Sequence, residues 1–151
     1  MQIKDGTDYI PQVRQLIWEY TRILNRDLTF QDLEAELADP AKKYTGSEGK
    51  ILIAFQDDVA IGMVAYHRHN DERCEMKRLY VKPSARGLHL GGKLVADIIE
   101  HAKTAGYKEM VLDTLTPMQA AIHLYKKYGF EECEPYYANP MQDVIYMRKQ
   151  L

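Results

Sequence analysis

The chain has 151 residues, 46% hydrophobic and 28% charged, which suits one globular domain and excludes a disordered tail. Basic and acidic side chains number 20 and 22, for a formal net charge of -2, so the basic excess of a nucleic-acid binder is missing. No apolar run approaches the roughly 18 residues of a membrane-spanning helix, and the start MQIKDGTDYIPQ has no apolar stretch behind a basic segment, so no signal peptide is expected. Cys74 and Cys133 lie far apart and in no CxxC pair. A disulfide scaffold and a zinc cluster are thereby disfavoured, and a soluble, cytoplasmic single domain spanning 1–151 is expected.

In chain order, Met1–Lys4 reads as a short extended piece, with Thr7 or Asp8 as cap of the helix that follows. Ile10, Val13, Ile17, Tyr20 and Leu24 recur at helical spacing and form its apolar face. A second helix is predicted from Gln31 to Leu37, with Thr29 as cap and Asp39-Pro40 as stop, and Ala41–Gly49 reads as loop. Lys50–Phe55 and Ala60–Tyr66 predict a hairpin around Gln56-Asp57-Asp58. His67–Arg73 reads as a turn. Cys74–Lys82 reads as a strand alternating Met76, Arg78 and Tyr80 against Lys77, Leu79 and Val81.

From Pro83 the pattern becomes loop, helix, strand, helix. Leu90, Leu94, Val95, Ile98, Ile99 and Ala102 line one helix that ends near Ala105-Gly106. Met110–Leu115 predicts a strand, and Thr116-Pro117 an N-cap and first residue of a helix reaching Tyr128, with Gly129 as its stop. Phe130–Leu151 holds two further strands, Val144–Met147 the clearer. The class is α/β or α+β: a mostly antiparallel meander followed by one crossover unit.

The segment Arg86-Gly87-Leu88-His89-Leu90-Gly91-Gly92-Lys93-Leu94 follows a strand and opens a helix. Free N–H groups and the positive helix end favour a phosphate there, and glycines let the main chain approach it. As a P-loop, Gly87 to Lys93 fits, but Leu94 replaces the hydroxyl that holds magnesium. As a dinucleotide fingerprint it fails at His89, and three predicted strands precede it. Arg86, Gly87 and Gly91 resemble the acetyl-CoA loop of the GNAT superfamily of N-acetyltransferases, [QR]-x-x-G-x-[GA], with His89 in place of a glycine. A positive φ at that position would be costly for a histidine. Ala121, Leu124, Tyr125, Gly129 and Phe130 resemble the family's second signature, with Met118 where asparagine is usual. Glu75–Val81 and Leu112-Asp113-Thr114 resemble the strands that flank the loop, so the likeness runs from Cys74 to Tyr146.

The resemblance implies a single N-acetyltransferase domain around a central mixed, mostly antiparallel twisted sheet. About six to seven strands flanked by about four helices are expected, with a splay near the loop. It implies acetyl-CoA as co-substrate and no metal. Backbone N–H groups near Leu79, Tyr80 and Val81 would face the pantetheine arm, and those of Arg86, Gly87, Leu88, His89, Leu90, Gly91, Gly92 and Lys93 the pyrophosphate. Tyr125 matches the tyrosine that protonates the departing thiolate; an isolated helical tyrosine reads as core, and the L-Y-x-x-x-G-F frame favours the catalytic role. Glu75 matches the glutamate that serves as general base in some histone-type members, with a surface ion pair to Lys77 or Arg73, or a water chain as base, as the competing readings.

Tyr20, Tyr44, Tyr136 and Tyr137 form a candidate aromatic rim for the acceptor, or fill half-exposed sheet edges. His67 and His69, with Asp71 near, carry a metal reading against the simpler one of a solvated turn. His101 and His123 read as exposed helix residues, and Cys74 as packed on the strand face opposite Glu75. The function implied is acetyl transfer to the primary amine of a small molecule, amino acid or protein, by direct attack in a ternary complex. The alternative is a catalytically silent acyl-CoA-binding module acting as sensor or partner subunit. Late strands in this fold often form dimer contacts, so a homodimer is one assembly the resemblance allows, the oligomeric state staying open, and no nucleic-acid or membrane partner is expected.

Overall fold

The Ile-, Val- and Ala-rich segments after Lys50 pair as a hairpin and seed a sheet that organises the whole chain. The computed structural model describes residues 1–25, 33–44, 46 and 48–151. Its strands are β1 Gln2–Asp5, β2 Lys50–Gln56, β3 Val59–Arg68, β4 Arg73–Val81, β5 Glu109–Leu115, β6 Glu131–Cys133 and β7 Val144–Gln150. The helices are α1 Ile10–Leu24, α2 Leu33–Ala38, α3 Pro40–Tyr44, α4 Leu90–Thr104 and α5 Gln119–Lys127. The seven strands form one mixed sheet in the order β1-β2-β3-β4-β5-β7-β6, in which only β4 and β5 run parallel.

Helices cover both faces. Leu94, Val95, Ile98 and Ala102 of α4 pack with Val64, Tyr66, Met76, Met110 and Leu112 in one core. Val13, Leu16 and Ile17 of α1 pack with Ile51, Ile53, Met63 and Tyr80 in the other. Among the described residues no helix is long and apolar enough to cross a membrane.

Several local expectations are corrected. Asp5 accepts from the Thr7 N–H at 2.8 Å and caps a 3₁₀ turn over Gly6–Tyr9, so neither Thr7 nor Asp8 caps α1, which starts only at Ile10. Pro40 ends α2 but also opens α3, a short helix where a loop was predicted, because proline fits a first helical turn. The predicted cap Thr29 and start Gln31 lie outside the described residues. Asp57 and Asp58, both at positive φ, make the hairpin turn alone, and Gln56 stays in β2. Thr116-Pro117 forms a turn in which Thr116 N–H bonds Asp143 O at 2.9 Å, and α5 begins after Met118. His67 and Arg68 belong to β3 rather than to a turn.

The largest departure lies in β4. Ala65 pairs with Lys77 and Met63 with Tyr80, so Val64 faces both Arg78 and Leu79, a bulge with Arg78 at φ +61. Strict alternation therefore fails. Met76, Leu79 and Val81 pack toward α4, while Tyr80 packs toward α1. A left-handed arginine costs of order 1–3 kcal/mol. Glu36 of α2 offsets that cost by taking both arms of the guanidinium, Nε to Oε2 at 2.8 Å and Nη2 to Oε1 at 3.1 Å. Tyr44 donates to the same carboxylate at 2.8 Å. Two residues before the bulge, opposite Val81, only glycine fits at position 62, because a Cβ there would lie 2.9 Å from Tyr80 O and 3.1 Å from Leu90 Cδ2.

The sheet opens next to the bulge. Pairing between β4 and β5 covers Arg73–Glu109, Cys74–Met110 and Glu75–Val111 and then stops. Beyond Glu75 the facing edges of the two strands bound a cleft.

Candidate active site

Two cavities meet in that cleft, sharing Tyr20, Leu24, Leu79 and Met118 in their walls. The outer one, about 440 Å³, is mostly apolar and runs from Val81 past Arg86, Gly87, His89, Leu90 and Gly91 to Pro117–Ala121 and Leu124. Pro83 ends β4, Gly87 turns the chain at φ +92, and His89 sits at φ +57 immediately before α4. The first helical hydrogen bond runs from Lys93 N–H to His89 O at 3.3 Å, so Leu90, Gly91 and Gly92 keep N–H groups without an intrahelical acceptor. On β4, Lys82 N–H donates to Ile61 O at 2.9 Å. By strand alternation Leu79 and Val81 then direct their N–H groups at the unpaired edge.

Three residues of the predicted loop set do not line this cavity. Leu88 is exposed, Lys93 pairs with Asp97 at 3.5 Å, and Gly92 faces α5, where a Cβ would lie 3.0 Å from Tyr128 Oη. Met118, in the place of the usual asparagine, walls both cavities and accepts at Sδ from Thr114 Oγ1 at 3.9 Å.

The inner cavity, about 50 Å³, is lined by Lys77, Arg78, Asp113, Tyr125, Asn139 and Met141 among others. Beside it, cross-strand pairing puts His67 opposite Glu75. Glu75 takes a bond from His67 Nε2 at 2.7 Å and another from the Tyr136 hydroxyl at 2.5 Å. Burial pushes this carboxyl up, but His67, the Lys77 charge and Tyr136 outweigh it and hold Glu75 at about 2. The Tyr137 hydroxyl and Asn139 Nδ2 both donate to Asp113 Oδ2, the latter at 3.1 Å. The rings of Tyr136, Tyr137 and Tyr146 stack at 5.3 to 5.7 Å, and Tyr146 Oη fixes the Tyr137 carbonyl at 3.0 Å. Burial first, then the Glu75 and Asp113 carboxylates, keep the Tyr136 phenol protonated. Burial and Asp113 do the same for Tyr137.

Tyr125 is 7% exposed, walls the inner cavity and rests edge-on against Phe130 at 5.9 Å. Burial, then Tyr20 and Asp113, raise its phenol well above the ordinary value, so it enters any reaction as a proton donor. Tyr20 walls both cavities, its ring 6.1 Å from Tyr80 and 5.8 Å from the Arg78 guanidinium. Tyr44 lies fully buried on Glu36, away from both cavities. His69 meets the Tyr136 ring at 5.5 Å. Among the described residues no three His, Cys, Asp or Glu side chains converge as a metal site. Cys74 is buried, its thiol pushed up to about 12 by burial.

Lys77 and Asp113 line the inner cavity without a site role in the sequence, and His67, which reads there as a metal candidate or a turn residue, bonds Glu75 instead. A legible signal existed for Asp113, a charged residue inside the mostly apolar run Met110–Leu115, a pattern that marks a lined cleft or a buried pair.

A split sheet with a helix N-terminus at its mouth and a buried phenol at its inner end forms a cleft shaped for an extended ligand with an anionic end. Residues 10–130 match the acetyltransferase (GNAT) family. An uncharacterised N-acetyltransferase of Schizosaccharomyces pombe is 46% identical over 140 residues, 91% of this chain and 86% of the relative. The crystal structure of an acetyltransferase from Streptococcus agalactiae shares the fold at a TM-score of 0.81, covering 99% of this chain and 98% of that one at 23% identity. A GNAT acetyltransferase from Elizabethkingia anophelis, solved with acetyl-CoA bound, aligns at a TM-score of 0.61 and 25% identity over 77% of this chain and 82% of that one. The chain belongs to the GNAT family and is an N-acetyltransferase.

Proposed function

We propose that the protein moves an acetyl group from acetyl-CoA to the primary amine of a small molecule, by direct attack within a ternary complex. The observation that carries this reading is the opening between β4 and β5, where main-chain donors and a buried, protonated Tyr125 meet. The residues present fit the co-substrate. The outer cavity is apolar enough for a pantetheine arm, Leu79 and Val81 offer N–H groups along it, and the free N–H groups of Leu90 to Gly92 suit a pyrophosphate. Arg86 adds a cation at that end.

Bound acetyl-CoA supplies an activated thioester carbonyl. Leu79 or Val81 N–H polarises the carbonyl oxygen as it gains charge. Tyr125 Oη holds the proton that the departing sulfur takes, and solvent restores it. Transfer replaces one N–H of the amine by an N–C bond and the C–S bond by S–H. An ammonium acceptor loses two protons, one to free the lone pair and one as the N–C bond forms. Asp113 Oδ1 is the oxygen available to take the first, since both hydrogen bonds to Asp113 fall on Oδ2, and the second leaves to solvent. Glu75, fully engaged and held near 2, takes up a proton poorly at neutral pH; it fixes Tyr136 and His67 instead. The loop bearing Tyr136, Tyr137 and Asn139 folds over the inner cavity and favours a small acceptor over a protein surface.

Calorimetric titration with acetyl-CoA tests the binding step, and thiol release in the presence of amines the transfer. Saturable binding with amine-dependent thiol release is expected. An absence of heat at tens of micromolar would overturn the reading.

A further inference from the structure

Resting on the acetyl-transfer reading, we propose that the acceptor is a small zwitterion, an amine that also carries a carboxylate, bridging Asp113 and Lys77. The parallel register that pairs Glu75 with Val111 brings Lys77 and Asp113 level with each other two residues on, on the same sheet face, where the strands have parted. In a closed sheet such cross-strand neighbours would form an ion pair. Here they do not: both line the inner cavity, and among the described residues Lys77 makes neither an ion pair nor a hydrogen bond, although only 8% of it is exposed.

The other charge lining the inner cavity, Arg78, and the carboxylate beside the cavity, Glu75, are already satisfied. Arg78 is held by both oxygens of Glu36, and Glu75 by His67 and Tyr136. What remains is one carboxylate oxygen, Asp113 Oδ1, and one ammonium, Lys77 Nζ, on opposite walls of a small cavity. A ligand with an amine at one end and a carboxylate at the other replaces the ion pair that the splayed strands do not make. Burial also lowers the proton affinity of Lys77, which Glu75 and Asp113 only partly restore, so an incoming carboxylate stabilises the charged form. An amine without the acid leaves Lys77 buried and unmatched. Its amide offers a neutral acceptor and a weaker bond.

Thiol release is measured at saturating acetyl-CoA for L-amino acids, each beside its carboxamide, with parent protein, Lys77→Gln and Lys77→Arg. The expected result is an amino acid favoured over its amide by about tenfold or more in kcat/KM, carried mainly by KM. Lys77→Gln should bring that ratio to within about threefold of one, and Lys77→Arg should keep the preference. Equal turnover of acid and amide by the parent overturns the proposal, as does an unchanged ratio in Lys77→Gln. Turnover of simple amines alone overturns it too. Calorimetry with acetyl-CoA on the same samples separates the two levels. Loss of acetyl-CoA binding removes the acetyl-transfer reading itself, whereas intact binding with turnover blind to the carboxylate removes only the zwitterion.

Discussion

The two halves of the cleft are built by different means. The outer half is made of main chain: a loop bent by Gly87 and His89, free N–H groups at the start of α4, and an unpaired edge of β4. The inner half is made of side chains from distant strands, with Tyr136 reaching Glu75 across 61 positions and Glu36 reaching Arg78 across 42. A main-chain site suits whatever is common to every reaction of a family, and in the proposed reaction that is a phosphate and an amide-bearing arm. A side-chain site recognises what is particular. Damage to the first should weaken acetyl-CoA, and damage to the second should weaken the acceptor or the fold beneath it.

The largest effect is expected where the inner half anchors the opening itself. Glu36→Ala strands the Arg78 guanidinium, 3% exposed, without its carboxylate. It should cost about 3–5 kcal/mol in urea unfolding, and acetyl-CoA should weaken with it as the bulge relaxes. Close behind stands the acid response of Glu75. Its carboxyl lies at about 2 in the fold against an ordinary value of 4.5. Its contribution is therefore complete above 4.5 and fades as pH falls toward 2. The bonds from His67 and Tyr136 and the Lys77 charge make it worth roughly 3 kcal/mol, little screened because the side chain is buried. Glu75→Gln should lower stability at pH 7 and flatten the dependence below pH 4.5, read by thermal unfolding across a pH series.

Gly91→Val turns to the outer half. A Cβ there lies 3.3 Å from Leu124 Cδ2 and at the cavity wall, so acetyl-CoA affinity should fall about tenfold by calorimetry. Acceptor KM should stay within about twofold of the parent. The smallest effect belongs to His89→Gly. It relieves a left-handed histidine, and should raise stability by about 0.5–1 kcal/mol while leaving acetyl-CoA affinity intact. A loss of affinity in that variant would give the imidazole a place on the pyrophosphate beside the main chain and Arg86.

The same contrast explains what could be read from the chain. The outer half comes from contiguous residues, so Arg86 to Gly91 and the frame around Tyr125 already pointed to the cleft, and the strain at His89 was legible as a substituted glycine. The inner half depends on register. His67 was assigned to a turn because its charged neighbours resemble one, yet β3 continues to Arg68 and sets it opposite Glu75. Regular alternation hid the bulge at Arg78, because nothing in a non-glycine residue announces a positive φ when the compensation, Glu36, lies on another helix. Tyr44 looked like an acceptor residue for its type alone, and its role as a partner of that buried carboxylate appears only in three dimensions.

In the proposed reaction Tyr125, in the wall of the inner cavity, holds the proton for the departing sulfur. Tyr125→Phe isolates it, since the ring and its contact with Phe130 remain and only the hydroxyl is lost. Thiol release should fall by about a hundredfold or more in kcat, while the calorimetric affinity for acetyl-CoA stays within about twofold of the parent. A variant that binds acetyl-CoA and turns over at the parent rate would contradict the account.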